Sequence, residues 1–167
     1  MRTTITGSSE SAPTMSDGRS ASVRRTTTRR TTTKSSQLLL VLSRYSRVTI
    51  VMHDNPDPDA IAAGWAVRTL IDETMSQPVA LVAGGAIARA ENRHLVDLLS
   101  PPLTLVDSLA PDEGCGVVLV DCGLGTTNHL VTRCGIRPVA VIDHHHHGGS
   151  VADVPFVDWR PAVAASV

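Results

Sequence analysis

The stretch RVTIVMHDNPDPDAIAAG, residues 47–64, decides the fold of this chain. From Val48 to Met52 it is apolar and rich in β-branched residues, which favours a buried strand that ends at His53. Three carboxylates follow within six positions, those of Asp54, Asp57 and Asp59. An alanine-rich segment with apolar residues at helical spacing then predicts a helix over 59–77. The stretch therefore predicts a strand and a helix joined by an unusually acidic loop.

The same alternation of strands and helices continues along the chain. We predict strands over 47–53, 78–85, 103–109, 116–123 and 137–147. We predict helices over 35–45, 59–77, 86–100 and 127–135. Because strands that are apolar on both faces alternate with helices, we predict an α/β fold with an open, mostly parallel sheet of about five strands and helices on both faces.

Polar residues that can bind metal ions follow three of the predicted strands. They are His53, Asp57 and Asp59 after the first, Asp121 after the fourth, and Asp143, His144 and His145 at the end of the last. Parallel strands bring their carboxyl ends to one edge of a sheet, where ligands bind in open α/β folds. Carboxylate and imidazole ligands suit Mn²⁺, and two such ions can share a bridging carboxylate and a hydroxide while they clamp a phosphoryl group. Taken singly, the acidic loop could be a solvated loop and Asp121 a helix cap.

Charge and composition divide the chain at residue 36. Residues 1–36 carry a net charge of +5 and half of them are Ser or Thr, which predicts a disordered basic leader, with a transit peptide or a nucleic-acid-binding arm as alternatives. Residues 37–167 carry a net charge of −6, so a phosphate substrate needs cations between it and the protein. Three cysteines without CxxC spacing indicate reduced thiols and a cytoplasmic setting, and no apolar run is long enough for a membrane span.

Four other side chains are assigned no ligand role. We expect His94 and His129 to lie on helix surfaces and Asp54 to face solvent or cap its loop. Cys122 is expected to pack as a small apolar side chain.

Three separated motifs make the chain similar to the DHH phosphoesterase family. They are HDNPDPDA at 53–60, VDCG at 120–123 and DHH at 143–145. Two further segments, RAENRHLVDLL at 89–99 and FVDWRP at 156–161, resemble the oligoribonuclease branch, whose members also dephosphorylate phosphoadenosine phosphate. The resemblance implies a Rossmann-like DHH domain over 37–167 that acts as a metal-dependent phosphoesterase.

The resemblance also implies roles for individual residues. His53 and Asp57 would hold one Mn²⁺ ion, Asp59 and His144 a second, and Asp121 would bridge both, with Mg²⁺ or Co²⁺ as alternative metals. His145 would contact the substrate phosphate or the leaving oxygen, and Asp143 would orient the two histidines. The implied substrates are a short single-stranded oligonucleotide, a cyclic dinucleotide or a nucleotide phosphomonoester, hydrolysed by a metal-bound hydroxide. A homodimer stays open.

The chain departs from the family pattern after the DHH motif. A GIxxDT-like segment and a carboxyl-terminal substrate-binding domain are expected there, so we expect the DHH domain to be incomplete at its carboxyl end and its turnover to be weak or absent. We assign no role to His146 and His147. The alternative is a non-catalytic module that binds metal or nucleotide. A dinucleotide-binding Rossmann domain is disfavoured because the first loop lacks G-x-G-x-x-G.

Overall fold

Strands and helices alternate in the computed structural model, which describes residues 32–145 and 149–160. The helices are α1 Lys34–Leu42, α2 Pro58–Thr74, α3 Ala90–Leu99 and α4 Leu130–Arg133. The strands are β1 Arg47–Val51, β2 Val79–Ala83, β3 Leu103–Leu105, β4 Cys115–Val120, β5 Ala140–Asp143 and β6 Phe156–Trp159.

All six strands join one parallel sheet in the order β3-β2-β1-β4-β5-β6. The predicted α/β fold with a parallel sheet is confirmed. The sheet has six strands where about five were predicted, because the short edge strand β6 pairs with β5. The chain steps from β1 to β2 and β3 on one side, then from β4 to β5 and β6 on the other. The strand order therefore reverses between β1 and β4, which is where open α/β sheets form their ligand crevice.

Two apolar clusters cover the two faces of the sheet. One contains Ile50 and Val118 of the sheet with residues of α1 and α2, and the other contains Val51 and Leu119 with residues of α4. Adjacent residues of one strand point to opposite faces, so β1 and β4 are buried on both sides. The helices lie on opposite faces because right-handed crossovers run in opposite directions from the reversal point.

The helix α2 begins directly at the acidic loop. Pro58 is its first residue, and the Asp57 carboxylate accepts a hydrogen bond from the Ala60 amide at 3.0 Å as the N-cap. Further along, a Cβ at Gly64 would lie 2.7 Å from Leu81 Cδ1 and 2.9 Å from Met52 Sδ. The absence of a side chain at Gly64 therefore lets α2 lie close against the sheet.

Several elements are shorter than their sequence patterns predict. The helix predicted over 86–100 begins at Ala90, since the preceding turn is bonded to the loop after β1. The helix predicted over 127–135 is the single turn α4, because residues 128 and 129 pair with the β1 loop instead. The last predicted strand ends at Asp143, so His144 and His145 lie beyond the sheet.

Parts of two predicted segments lie outside the described residues. They are residues 1–31 of the basic leader and His146 and His147 of the histidine run. The helix α1 takes up the last three leader residues from Lys34, and the Thr33 hydroxyl caps it by accepting from the Ser36 amide at 3.2 Å. Within residues 32–145 and 149–160, no helix combines the length and apolar character that crossing a bilayer requires.

Candidate metal centre

The carboxyl ends of β1, β4 and β5 bring the predicted ligands to one edge of the sheet. They come from the loop after β1, the residue after β4 and the residues after β5: His53, Asp57, Asp59, Asp121, His144 and His145. The structure gathers all of them around the reversal point of the strand order. Their assignment as metal ligands stays a prediction at this stage.

Asp121 lies at the middle of this constellation. Its Oδ2 lies 3.8 Å from His53 Nε2, and its Oδ1 lies 3.2 Å from His144 Nε2. The side chain is only 3% exposed, and the backbone takes the left-handed conformation with φ of +59°. Aspartate tolerates this conformation better than most residues, although it is still strained, and such strain concentrates at functional sites. Each oxygen of Asp121 therefore faces a different histidine.

The first group of ligand atoms comprises His53, Asp57 and Asp121, and the three atoms lie within 4.8 Å of one another. His53 Nε2 is 3.7 Å from Asp57 Oδ1. His53 Nδ1 donates a hydrogen bond to the Asp54 carbonyl at 2.9 Å. Because Nδ1 is bonded to a backbone carbonyl, Nε2 is the ring nitrogen that faces the two carboxylates and could bind a metal.

The second group comprises Asp121, His144 and His145, whose ligand atoms also lie within 4.8 Å of one another. Asp59 approaches this group, with its Oδ2 at 3.6 Å from His144 Nε2. Because Asp121 belongs to both groups, the two have a geometry in which one carboxylate could bridge two ions.

Asp143 organises the turn that carries the two histidines. Its Oδ1 accepts hydrogen bonds from the His144 amide at 2.7 Å, from the His145 amide at 3.0 Å and from His145 Nδ1 at 2.8 Å. The hydrogen bond from the imidazole to this carboxylate is the main reason why the pKa of His145 is raised. On the other side of the turn, Trp159 Nε1 donates to the His145 carbonyl at 2.6 Å. The orientation of His145 is thus fixed from both β5 and β6.

A positive charge would stabilise the buried carboxylates of this centre. Burial is the largest cause that raises the pKa of Asp121 to about 6, and repulsion from the Asp59 carboxylate adds to it. Two buried carboxylate oxygens, Asp59 Oδ1 and Asp121 Oδ1, accept no hydrogen bond from any described residue. Buried acceptors without partners are destabilising, and a cation between them would satisfy both. The donor set of carboxylate oxygens and imidazole nitrogens suits Mn²⁺.

The expectation that His129 lies on a helix surface is wrong. His129 has no exposed surface, and it caps α4 by accepting a hydrogen bond from the Thr132 amide through Nδ1 at 3.2 Å. Its Nε2 donates to the Gly123 carbonyl at 3.1 Å, and its backbone forms a β-bridge with His53. Burial is the main cause that lowers the pKa of His129, so the imidazole is neutral. His129 therefore ties the loop after Asp121 to the loop after β1.

The expectation for Asp54 is also wrong. Its carboxylate is mostly buried and forms an ion pair with Arg133 of α4, and its amide donates to the Asn128 carbonyl at 2.6 Å. A Cβ at Gly84 would overlap this carboxylate, so the glycine leaves room for the ion pair. His94 is exposed on α3 and Cys122 is buried in the apolar cluster of Val51 and Leu119, where each was expected. The sequence of the short, polar segment around α4 does not predict that this segment packs against the acidic loop.

Comparisons with known proteins give the chain a family. Residues 47–167 match the sequence model described as the DHH family, N-terminal domain. An uncharacterized protein of Methanocaldococcus jannaschii is 32% identical over 117 residues, which cover 70% of this chain and 23% of that protein. The chain thus spans about a quarter of the length of this curated relative. A solved structure of an exopolyphosphatase-related protein from Bacteroides fragilis aligns with a TM-score of 0.49 at 15% identity, over 78% of this chain and 39% of that one.

Proposed function

Because the chain belongs to the DHH family of phosphoesterases, whose amino-terminal domain it matches over residues 47–167, we propose that it hydrolyses a phosphoester bond at a centre of two divalent cations. The observation that carries this proposal is the position of Asp121. Its two oxygens face two separate groups of imidazole and carboxylate ligands, within 3.8 Å of His53 and 3.2 Å of His144.

The residues divide between the two cation positions. His53 and Asp57 would hold one cation, Asp59 and His144 would hold the other, and Asp121 would be shared by both. Mn²⁺ fits this mixture of oxygen and nitrogen ligands, with Mg²⁺ and Co²⁺ as alternatives. When bound, such ions polarise a phosphoryl group and lower the pKa of a coordinated water.

His145 and Asp143 act on the substrate side of the centre. Because His145 Nδ1 donates to Asp143, Nε2 is the ring nitrogen that can contact a phosphate oxygen or the leaving oxygen. The same hydrogen bond raises the pKa of His145 and so favours the protonated ring. A protonated Nε2 can hydrogen-bond to an anionic oxygen and deliver a proton to the leaving group. Asp143 thereby fixes both the orientation and the protonation of His145.

The proposed substrates are phosphoesters of nucleotides: a short single-stranded oligonucleotide, a cyclic dinucleotide or a nucleotide phosphomonoester. The similarity of segments 89–99 and 156–161 to the nucleotide-cleaving branch of the family supports this choice.

Calorimetric titration with Mn²⁺ tests the metal centre. We expect two ions to bind the chain, and we expect Asp121→Asn to lower both stoichiometry and affinity because it weakens a ligand common to both positions. Asp97→Asn, which removes an exposed carboxylate from α3, is the matched control and should bind Mn²⁺ as the unaltered chain does. Unchanged binding in Asp121→Asn would rule out a bridging role.

A second measurement addresses catalysis. Any release of mononucleotide from a dinucleotide should be slow, should require Mn²⁺, and should be lost in Asp121→Asn but retained in Asp97→Asn. Binding of two Mn²⁺ ions without cleavage of any phosphoester would instead favour the non-catalytic module that binds metal or nucleotide.

A further inference from the structure

A separate cavity opens beside the first group of ligands. It has a volume of about 300 Å³ and lies between the loop after β1 and the first turn of α3. Its lining residues are His53, Asn55, Asp57, Ala88, Arg89 and Asn92. One wall is therefore the proposed metal centre, and the opposite wall is formed by Ala88, Arg89 and Asn92, none of which has been given an individual role. We call this cavity the Arg89 pocket.

Asn92 is the first sign that the pocket takes a ligand. The residue is 4% exposed and lines the pocket, yet its side-chain amide has no hydrogen-bond partner among the described residues. Neither polar atom of this amide is among the fully buried side-chain atoms that lack a partner, so the amide reaches the open cavity. An amide that lines a cavity and bonds to no protein group is available to a ligand.

Arg89 is the second sign. It is the N-cap residue of α3 and is exposed, and no carboxylate of the described residues lies within ion-pair distance of its guanidinium. Among the described residues, Arg47, Arg68, Arg133 and Arg160 have carboxylate partners, whereas Arg44, Arg93 and Arg137 have none; Arg89 differs from these three because it lines the pocket. The first turn of α3 has no side-chain cap, so its backbone amides also point toward this end of the helix. An unpaired guanidinium at a helix N-terminus favours an anionic ligand.

The pocket is held in shape by bonds that tie its two walls together. Asn55 Oδ1 accepts from the Ala86 amide at 2.9 Å, and the Asn55 amide donates to the Gly84 carbonyl at 3.0 Å. On the α3 side, Arg93 Nη1 donates to the Ala88 carbonyl at 2.6 Å. These contacts fix the turn before α3 against the loop that carries His53. The cationic and amide groups are therefore positioned before any ligand arrives, which lowers the entropic cost of binding.

We propose that the Arg89 pocket binds a phosphate group of the substrate, through the Arg89 guanidinium, the Asn92 side-chain amide and the first-turn amides of α3. The proposal deepens the proposed function and rests on it for the identity of the substrate. In a body with a net charge of −6, this pocket supplies positive charge from the protein itself on the side of His53 and Asp57. It selects substrates with an anionic group next to the reacting centre.

The test uses inorganic phosphate as the probe and the Mn²⁺-saturated chain. Arg89→Ala should raise the dissociation constant for phosphate by roughly tenfold to a hundredfold, as expected for a lost hydrogen bond to a charged group. Arg137→Ala is the matched control, because Arg137 is exposed and precedes β5 at the opposite edge of the sheet. It should leave the constant unchanged, and both variants should bind Mn²⁺ with the stoichiometry of the unaltered chain.

Asn92→Asp provides a second variant of nearly the same size. Its added negative charge should weaken phosphate binding at least as much as Arg89→Ala does. A thermal midpoint close to that of the unaltered chain will show that the variant folds. Equal phosphate affinity in the unaltered chain and in Arg89→Ala would overturn the proposal.

The two proposals fail in different ways. Phosphate binding that depends on Arg89 in a chain that cleaves no phosphoester would remove the hydrolase but keep the pocket. Cleavage with unchanged KM and phosphate affinity in Arg89→Ala would keep the hydrolase and remove the pocket.

Discussion

Replacement of Asp121 by Asn should stabilise the metal-free chain and should reduce the stability that Mn²⁺ adds. The substitution removes a charge but keeps the shape, and Asn tolerates the left-handed backbone at this position. In the metal-free chain the Asp121 carboxylate is buried beside Asp59 with no cation between them, so its ionised form is destabilised. With Mn²⁺ bound as proposed, the same charge would become favourable.

The size of the metal-free effect follows from the pKa. The pKa of Asp121 is raised from 3.8 to about 6, a difference of about two units that corresponds to at most about 3 kcal/mol. Since the folded-state pKa is raised, the favourable contribution of protonated Asp121 is present below about pH 4 and is lost as the pH rises through about 6. Asp121→Asn does not titrate. The variant should therefore gain stability over the unaltered chain between pH 4 and 7, by at most about 3 kcal/mol.

Urea unfolding measures both effects. In EDTA, the difference in the free energy of unfolding between variant and unaltered chain should be near zero at pH 4 and largest above pH 7. In Mn²⁺ at about a hundred times the dissociation constant, the unaltered chain should gain about 2.7 kcal/mol, and Asp121→Asn should gain less. The reasoning is refuted if Asp121→Asn is the less stable protein in EDTA at pH 8, or if Mn²⁺ stabilises both proteins equally.

Two further substitutions test the packing that positions the centre. Gly64→Val should lower the free energy of unfolding by about 1–3 kcal/mol, because its side chain would collide with Leu81 and Met52, and exposed Ala66→Val should cost less in the same urea titration. His129→Phe should lower stability at pH 7.5 by about 1–3 kcal/mol, since the Gly123 carbonyl and the Thr132 amide lose their partner. Because the pKa of His129 is lowered in the folded chain, the stabilising contribution of this histidine is present above its ordinary pKa and is lost in acid. The difference in stability between the two proteins should therefore shrink as the pH falls below about 6.5. A difference that stays constant with pH would contradict a buried neutral imidazole.

The sequence predicts the centre of the sheet well because burial on both faces leaves a continuous apolar signal. Strands β1, β4 and β5 are largely buried, and a polar residue lies at or within two positions of each carboxyl end. Because the strands are parallel, the positions of their carboxyl ends alone predict that His53, Asp121 and His144 lie at one edge of the sheet. The edge strand β6 gives a weaker signal, because only Phe156 of its four residues is buried.

Contacts between loops are the part that the sequence does not predict. His129 lies in a polar segment with no apolar periodicity, so its burial follows from the β-bridge to His53, which is a tertiary contact. The Arg89 pocket likewise depends on the hydrogen bond from Ala86 to Asn55, which delays the start of α3 to Ala90. In both cases a distant partner overrides the local helical pattern, and local propensity is a weak guide where that happens.

If the acidic centre binds cations as proposed, it should oppose folding in their absence. The left-handed backbone of Asp121 is one source of strain, of order 1–3 kcal/mol, and the buried Asp59 and Asp121 oxygens that accept no hydrogen bond are another. These terms are offset only when positive charge lies between the carboxylates, because the described protein atoms around them supply no hydrogen-bond donor to either oxygen. Part of the metal-binding free energy is thus folding free energy. Metal removal should loosen the loops after β1, β4 and β5 before it affects the sheet, since the two apolar clusters that bury the strands do not depend on the centre.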